Sequence, residues 1–371
     1  MEISRVEQSI QWHQAGASTP QPGGGDELLA GKDTVEIKNS ARAPAEKKVI
    51  DGITTYLTGS RKDVTTPAEP GLCLMGGSTE VDGAMRWMIK KSGGGDFVVI
   101  RATDSSDYND YIYRELGGVD SVETLVIDSR EKADSAYTAE TIRNAEALFI
   151  AGGDQWNYYK YWNGTKVEDA INHLAGEKKV PIGGTSAGCH SMAGLFYSAE
   201  NDGVTSCEAL QNPFHEKVTL RADFLAMPGM THVITDSHFH KRDRMGRSAT
   251  FLARMIEERY PQDPEKPRVI ALDEKAAVTV EADGTGKIWS GSENDKEGCA
   301  YFLSAHGRPQ VLRENTPLTF SENRLEVYKI RGSKEGQGHF RVLDDGSLGD
   351  FEGGGAHPVN IKNGLFEKDP Y

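Results

Sequence analysis

The run Gly184-Thr185-Ser186-Ala187-Gly188, which follows a short apolar stretch and opens an apolar segment, constrains the fold of this chain most. A serine flanked by glycines at a strand-to-helix turn is typical of a nucleophile elbow. Both glycines are needed because a Cβ atom there would collide with the neighbouring backbone. The amide of Ala187 would then lie at a helix N-terminus, where it can stabilise an oxyanion. The pattern therefore predicts a serine hydrolase.

From Gly71 onward, short apolar runs alternate with longer amphipathic segments, as in βαβ units around a buried parallel sheet. We predict strands over residues 72–75, 97–100, 122–127, 147–150 and 180–183. We predict helices over residues 81–91, 109–116, 136–144, 167–175 and 187–196. Five strand-helix repeats indicate a doubly wound, mostly parallel α/β sheet with helices on both faces, whose ligand crevice lies at the carboxyl ends of the strands.

The regions that flank residues 71–280 have a different composition. Residues 1–70 are rich in Gly, Pro, Thr, Lys and Glu, which indicates an extended amino-terminal arm. Residues 281–371 contain several runs in which apolar and polar positions alternate, as in antiparallel strands, and then a glycine-rich, loop-like tail from about Asp344. We predict three parts: the arm, a catalytic α/β domain over 71–280, and a β-rich carboxy-terminal extension packed on that domain.

A base must take the proton of Ser186 before its hydroxyl can act as a nucleophile. Among ten histidines, His238 is the candidate because it follows an apolar run at a predicted strand end, and we expect it at the same sheet edge as Ser186. A carboxylate usually orients such an imidazole, and the apolar run 269–272 ends in Asp273 and Glu274, either of which could serve. The chain order serine, histidine, acid differs from that of α/β-hydrolases and argues against their fold.

Two further segments offer candidate substrate contacts. The pair Gly152-Gly153 follows a predicted strand and would let the backbone approach a substrate carbonyl, with a plain turn as the alternative. Arg242, Arg244 and Arg247 open the next helix, where the macrodipole disfavours cations. They need an anionic partner there, which is either a substrate carboxylate or a neighbouring acid.

Other features suggest alternatives to this site. His238 and His240 are spaced as a metal-binding pair, but no Cys or His cluster lies nearby in the sequence, and we expect no metal and no other cofactor. Cys189 is near the elbow but not at its tip, so we do not expect it to be the nucleophile. An esterase of the α/β-hydrolase fold would need a base late in the chain, such as His306. A binding protein on the same fold would need no intact set of serine, histidine and acid.

The charge and hydropathy of the chain limit its partners. Its formal net charge of -14 disfavours nucleic acid, because phosphate binding needs a basic surface. No apolar stretch approaches the ~20 residues that span a membrane, and the amino terminus lacks the apolar core of a signal peptide. We expect a soluble protein, cytoplasmic as written or exported if a signal peptide has been removed. A homodimer is left open.

The candidate residues also match a known family as an ordered set between about Gly71 and Val280. The matching motifs are Gly152-Gly153-Asp154-Gln155, Gly183-Gly184-Thr185-Ser186-Ala187-Gly188, Asp236 with His238-Phe239, the three arginines with Gly246, and Asp273-Glu274. In these motifs the chain resembles the cyanophycinase-like branch of serine peptidase family S51, which includes aspartyl dipeptidases. The resemblance implies a fold like that of class I glutamine amidotransferases.

The resemblance implies a role for each matching position. The catalytic set would be Ser186 as nucleophile, His238 as general base and Glu274 as orienting acid, with the amides of Gly153 and Ala187 as the oxyanion hole. The substrate-binding set would be Gln155, Asp236, Arg242, Arg244 and Arg247. Members of that branch release β-aspartyl-arginine dipeptides from a polymer with an aspartate backbone and arginine branches, so a peptide or a cyanophycin-like polymer is the expected substrate. Ser237 stands where those enzymes typically have glutamine, and the choice between α- and β-linked substrates therefore stays open.

Overall fold

The computed structural model describes residues 44–260, 267–294, 296–343 and 347–371. Residues 1–43 of the predicted arm lie outside these ranges. The strands of the first part are β1 (Glu46–Ile50), β2 (Ile53–Gly59), β3 (Gly71–Met75), β4 (Asp96–Arg101), β5 (Ser121–Val126), β6 (Ala147–Ile150), β7 (Pro181–Thr185), β8 (Phe196–Tyr197), β9 (Leu220–Arg221) and β10 (Val233–Asp236). Those of the second part are β11 (Arg268–Leu272), β12 (Ala276–Glu281), β13 (Thr285–Ser290), β14 (Cys299–Ala305), β15 (Val311–Arg313), β16 (Thr316–Arg331), β17 (Gln337–Val342), β18 (Leu348–Glu352), β19 (Gly354–Lys362) and β20 (Leu365–Phe366).

The helices of the described residues lie between Asp82 and Glu257. They are α1 (Asp82–Lys91), α2 (Asp107–Asp110), α3 (Arg130–Ala133), α4 (Ala136–Asn144), α5 (Gln155–Trp162), α6 (Lys166–His173), α7 (Ala187–Ser191), α8 (Ser206–Gln211) and α9 (Met245–Glu257). Two π-helical segments, Tyr111–Leu116 and Leu174–Lys178, continue α2 and α6. No helix among the described residues is long and apolar enough to cross a membrane.

The larger sheet has the strand order β1-β2-β5-β4-β6-β7-β3-β12-β13-β17-β18. Its central strands β5, β4, β6, β7 and β3 are parallel, as the strand-helix repeats predict, and each predicted strand of this region is present. The strands on both sides are antiparallel, so the complete sheet is mixed and the prediction of a mostly parallel sheet holds only for its centre. The reason is that β1 and β2 extend one edge of this sheet, and β12, β13, β17 and β18 extend the other.

Residues along the central strands alternate between two apolar cores. In β4, Val98 and Ile100 face the core that receives Ile142 of α4 and Ile171 of α6. Phe97 and Val99 face the opposite core with Met88 of α1. Because both faces of the sheet are covered, its strands read as nearly continuous apolar runs. Functional side chains therefore have access to solvent mainly at the strand ends.

A second sheet, in the order β10-β11-β14-β16-β19-β20 with β15 paired to β16, packs against α8 and α9. Its strands β10 and β11 are parallel and the remaining pairs are antiparallel. The described residues of the predicted extension thus join both sheets. Tyr371 at the end of the chain packs beside Phe239 and Tyr301 near the start of α9.

The structure differs from the sequence prediction in several segments. Residues 46–59 of the predicted arm form β1 and β2 of the larger sheet, and α5 was not among the predicted helices. The helix predicted over 187–196 ends at Ser191, because the chain turns at Gly194 and passes so close to Met230 that a Cβ on this glycine would lie 2.2 Å from the Met230 carbonyl oxygen. The tail predicted to be loop-like instead contains β18 and β19. Gly354 allows β19 to approach β16, since a Cβ there would lie 2.1 Å from the carbonyl oxygen of Lys329.

Candidate active site

The elbow lies between the end of β7 at Thr185 and the start of α7 at Ala187. Ser186 has φ +51° and ψ −115°, a positive-φ conformation outside the left-handed helical region that costs energy in a residue with a Cβ and that clusters at functional sites. A Cβ on Gly184 would lie 2.6 Å from the carbonyl carbon of Gly188, and one on Gly188 would lie 2.0 Å from the carbonyl oxygen of Ile150. The predicted steric need for glycine on both sides of the serine is therefore confirmed.

His238 follows β10, and its imidazole contacts the hydroxyl of Ser186, which follows β7 of the larger sheet. Its Nε2 lies 2.8 Å from Ser186 Oγ. The expectation that the two residues share one sheet edge was wrong, because β10 belongs to the second sheet. The backbone amide of His238 donates a hydrogen bond of 2.8 Å to the carbonyl of Gly76, which follows β3 of the larger sheet, and this bond joins the two strand ends.

The carboxylate of Glu274, and not that of Asp273, contacts the imidazole. Glu274 Oε1 lies 2.8 Å from His238 Nδ1, and because a carboxylate only accepts, Nδ1–H is the donor and Nε2 is left to accept from the serine hydroxyl. Asp273 is buried and accepts from the backbone amides of His240 and Cys299, both at 3.1 Å. The two adjacent acids thus have different environments. Of the two, Glu274 is the one whose position allows it to orient His238.

The sequence reasoning missed Gly76-Gly77, which follow β3 at the same edge as the elbow. A Cβ on Gly77, whose φ is +94°, would lie 2.5 Å from both Cε1 and Nε2 of His238. A Cβ on Gly76 would lie 1.9 Å from the carbonyl oxygen of Asp273. The signal that could have found them is a glycine pair directly after a predicted strand, the same signal that singled out Gly152-Gly153.

The backbone of the predicted second oxyanion donor is fixed by a tyrosine of α5. The hydroxyl of Tyr158 lies 3.0 Å from the carbonyl oxygen of Ala151 and 2.9 Å from that of Gly152. Because the peptide between Gly152 and Gly153 is planar, holding its carbonyl also fixes the direction of the Gly153 amide. Ala187, the other predicted donor, is the first residue of α7, where backbone amides have no partner within the helix.

Asp236 and Arg247 form a buried ion pair beneath the base. Arg247 Nε lies 2.8 Å and Nη2 2.5 Å from the two carboxylate oxygens of Asp236, which also accepts from Ser248 Oγ at 2.8 Å. Burial alone would raise the pKa of Asp236, but the charge and hydrogen bonds of Arg247 outweigh burial and hold it well below its usual range. Both side chains are almost fully inaccessible, so their guanidinium and carboxylate are engaged with each other.

The other predicted substrate-binding residues differ in exposure. Arg244 is partly buried and donates to the Ser237 carbonyl at 2.8 Å, with Asp236 Oδ1 at 3.4 Å. Burial and the charge of Arg247 lower the pKa of Arg244 to about 9. Arg242 is exposed, and Gln155 is partly exposed at the start of α5. Two guanidinium groups share one buried carboxylate, so the group formed by Asp236, Arg244 and Arg247 has one positive charge in excess.

Ser237 faces away from solvent and touches a buried histidine. Its Oγ lies 3.2 Å from Nε2 of His190 and 3.4 Å from Nη1 of Arg244. Burial lowers the pKa of His190 to about 3, so this imidazole is neutral near pH 7. The sequence reasoning missed His190, although it lies only four residues after Ser186 in the helix that the elbow opens.

The ionisation of the three grouped side chains suits proton transfer from the serine. Burial lowers the pKa of His238; the hydrogen bond to Glu274 opposes this effect, and the charges of Arg242 and Arg244 reinforce it. The hydrogen bond with His238 lowers the pKa of Glu274. At neutral pH the site therefore holds a neutral imidazole between a carboxylate and a hydroxyl, the protonation state required of a general base.

A cysteine nucleophile and a metal site are the two other kinds of chemistry that the sequence raised. Cys189 is fully buried beneath the elbow, and burial raises the pKa of its thiol to about 12, so it is not a thiolate at neutral pH. Within the described ranges, no group of three or more His, Cys, Asp or Glu side chains could hold a metal ion.

Comparison with known proteins gives one family and several relatives. The model of peptidase family S51 matches residues 74–288, more than half of the chain. A cyanophycinase from Trichormus variabilis is 28% identical over 220 residues, which are 58% of this chain and 65% of that protein. A cyanophycinase from Synechococcus elongatus is 26% identical over 223 residues, 59% of this chain and 61% of that protein. The chain thus spans just under two thirds of these relatives.

The crystal structure of a peptidase from an acI-B1 Actinobacterium is 15% identical, with a TM-score of 0.44 over 64% of this chain and 91% of the other.

Proposed function

This chain belongs to peptidase family S51, and we propose that it is a serine hydrolase that cleaves aspartyl or β-aspartyl peptide bonds through an acyl-enzyme. The observation that carries the proposal is the line of contacts from Ser186 through His238 to Glu274, with 2.8 Å at each step. Each of the three residues comes from a different strand end, and none of these contacts is required by the regular secondary structure around it.

In the proposed mechanism, Ser186 Oγ attacks the carbonyl carbon of the substrate while His238 Nε2 takes the hydroxyl proton. The amides of Gly153 and Ala187 stabilise the oxyanion of the tetrahedral intermediate. Collapse of the intermediate breaks the C–N bond, and the imidazolium gives its proton to the leaving amine. A water molecule, deprotonated by His238, then attacks the acyl ester, and a second tetrahedral intermediate releases the acid and restores the Ser186 hydroxyl. Glu274 keeps the imidazole oriented and stabilises its charged form in both half-reactions.

The proposed substrate class follows from the charge beside the base. Asp236 neutralises only one of Arg244 and Arg247, and the exposed Arg242 adds a further positive charge. Such a surplus favours a substrate that carries a carboxylate near the scissile bond, as aspartyl peptides do. We assign Arg242, Arg244 and Gln155 to direct contact. We assign Asp236 and Arg247 to holding this surface in place, because both are buried.

The relatives named as cyanophycinases suggest a more specific substrate. We propose release of β-Asp-Arg dipeptides from a cyanophycin-like polymer as the first candidate, and hydrolysis of α-aspartyl or isoaspartyl dipeptides as the second. Ser237 favours keeping the second candidate, because a short, buried hydroxyl engaged with His190 replaces the longer amide that the resemblance leads one to expect. We also propose that the mixed sheet belongs to the class I glutamine amidotransferase-like folds, since the nucleophile follows a central parallel strand.

The first experiment replaces Ser186 by Ala and measures hydrolysis of cyanophycin, β-Asp-Arg, β-Asp-Lys and α-aspartyl dipeptides by mass spectrometry. We expect the rate on the preferred substrate to fall by about 10⁴-fold or more, because the nucleophile is lost. Cys189→Ala is the matched control, since it removes a neighbouring nucleophilic atom that is buried. Retained turnover by Ser186→Ala would overturn the mechanism. Cleavage of α-linked substrates alone would overturn the cyanophycin assignment and leave the mechanism standing.

A binding protein on the same fold is the alternative from another class. A serine-reactive fluorophosphonate separates the two, because only an activated Ser186 forms the covalent adduct. Folded protein that neither labels nor hydrolyses any substrate of the panel would favour the binding protein.

A further inference from the structure

The segment between His238 and the start of α9 carries the base, the exposed Arg242 and the partly buried Arg244, and its backbone is tightly turned. The backbone amide of Arg242 donates to the carbonyl of His238 at 3.0 Å, and the backbone amide of Arg244 donates to the carbonyl of Phe239 at 3.0 Å. His238 has φ +45° and Asp243 has φ +46°, both in the left-handed region. Positions of this kind persist only where the surrounding structure holds them. We call residues 238–245 the base loop.

The side chain of Tyr371 contacts this loop at several points. Its hydroxyl donates to Asp243 Oδ1 at 2.9 Å and accepts from the backbone amide of Met245 at 3.0 Å. Its ring lies 4.6 Å from that of His240 at an interplanar angle of 31°, and it meets Phe239 edge-on at 5.7 Å. The hydroxyl therefore links an exposed acid of the loop to the first amide of α9, which has no partner within the helix.

Tyr371 is itself held by the β-rich part of the chain. His357 of β19 lies 3.2 Å, through Nε2, from the carbonyl oxygen of Pro370. The backbone amide of Tyr371 donates to Asp369 Oδ1 at 3.0 Å, and its ring meets Tyr301 of β14 edge-on. These residues lie beyond residue 288, where the match to the family model ends. Support for the base loop thus comes from a region that the family match does not include.

We propose that Tyr371 is a positioning residue, which holds the base loop so that His238 and the arginines keep their places relative to Ser186. This inference rests on the proposed hydrolytic function. It assigns to the carboxy-terminal region a part in the reaction, namely the orientation of groups that touch the substrate. Misplacement of a reacting group by about 1 Å can cost 10²-fold in rate, so even a small shift of the loop would be measurable.

The pH dependence of activity reports the position of the loop. The charged or titratable groups around His238 are Glu274, Arg242, Arg244 and His190, of which the last is neutral near pH 7. Arg242 and Arg244 are on the base loop, and their positive charges disfavour the imidazolium. If the part of the loop that Tyr371 contacts moves outward, Arg242 and Arg244 move away from His238, the pKa of His238 rises, and the acid limb of kcat/KM moves to higher pH.

The test compares Tyr371→Phe with Tyr328→Phe, on the full chain and on the preferred substrate of the panel. Tyr328 is the matched control because its hydroxyl, in the same β-rich part, donates to the carbonyl of Phe351 at 3.3 Å and not to the base loop. We expect Tyr371→Phe to lower kcat/KM by about 10-fold and to raise the midpoint of the acid limb. We expect Tyr328→Phe to match the unsubstituted protein. Thermal unfolding identifies a temperature at which all three proteins are folded.

Labelling of Ser186 by the fluorophosphonate distinguishes failure of this inference from failure of the proposed function. If the unsubstituted protein hydrolyses and labels, and Tyr371→Phe does so at the same rate and with the same pH profile, the positioning role falls and the function stands. If folded, unsubstituted protein neither hydrolyses nor labels, the proposed function falls and the positioning role falls with it. Slower labelling of Tyr371→Phe alone, at a temperature where it is folded, supports the role.

Discussion

The elbow and the base loop contribute opposite halves of the candidate site, and they are held in place by different forces. At the elbow, Gly184 and Gly188 allow backbone to lie against backbone, and the position of Ser186 follows from steric exclusion. The base loop is held by charge and hydrogen bonds from outside it. These come from the buried pair of Asp236 and Arg247, which lie on either side of the loop in the sequence, and from the hydroxyl of Tyr371. The elbow is positioned by glycines that have no side chain, whereas the base loop is positioned by side chains that form ion pairs and hydrogen bonds.

The elbow and the base loop should therefore tolerate different substitutions. A backbone contact leaves no room, so any added atom at the elbow must displace a strand. An ion pair in the interior is a balance of desolvation and attraction, and removal of one partner leaves the other unpaired.

Arg247→Leu should cause the larger loss of stability. It leaves the Asp236 carboxylate buried without its main partner, and breaking a buried pair in this way costs about 3–5 kcal/mol. Urea-induced unfolding of Arg247→Leu against the unsubstituted protein measures this change. Arg324→Ala is the control, because that guanidinium pairs with Glu322 at the surface and its loss should leave the unfolding midpoint nearly unchanged. An Arg247→Leu protein as stable as the unsubstituted one would mean that charge does not hold the base loop.

Gly188→Ala should cost less in stability but should disrupt the nucleophile. The added methyl group would lie 2.0 Å from the Ile150 carbonyl oxygen, and relief of such overpacking costs about 1–3 kcal/mol. We expect labelling of Ser186 by the fluorophosphonate to fall steeply, because α7 must move away from β6. Gly176→Ala is the control, since a Cβ there meets no atom within 4 Å. Normal labelling by Gly188→Ala would show that the elbow does not depend on close approach.

The half held by steric exclusion was the easier one to predict from the sequence. The five central strands and the glycines around Ser186 are readable because a buried parallel strand and a close backbone contact each impose a local pattern. The mixed nature of the large sheet was not readable, because the pairing of β12 with β3 joins residues some 200 positions apart and leaves no local signal. The short helix α7 and the strand β19 in the glycine-rich tail were missed because close backbone approaches at Gly194 and Gly354 accompany them, and the sequence around a glycine does not show what packs against it.

The half held by charge was only partly predictable. The order of motifs selected His238, Asp273 and Glu274, but the choice between the two acids depends on which of them the backbone amides of His240 and Cys299 engage. The sequence could not show that β10 lies in a second sheet. Nor could the sequence show that Arg247 is buried against Asp236. An arginine near a helix start can bind a substrate carboxylate or pair with a neighbouring acid, and the sequence pattern is the same in both cases.

The smallest expected effect concerns the field that the base loop creates at His238. Burial and the charges of Arg242 and Arg244 lower the pKa of this imidazole, so the acid limb of kcat/KM should have its midpoint below the ordinary histidine value of about 6.5. The sign follows because the base must be deprotonated: activity is lost as the pH falls through the pKa of His238, and a lowered pKa extends activity to more acidic solutions.

Arg242→Ala removes one exposed charge and should raise the midpoint by on the order of 0.3–0.5 pH unit. Salt at about 1 M should shrink this difference, because it screens an exposed charge. A midpoint at or above 6.5 in the unsubstituted protein would mean that the base loop does not set the field, and the contrast with the elbow would then rest on packing alone.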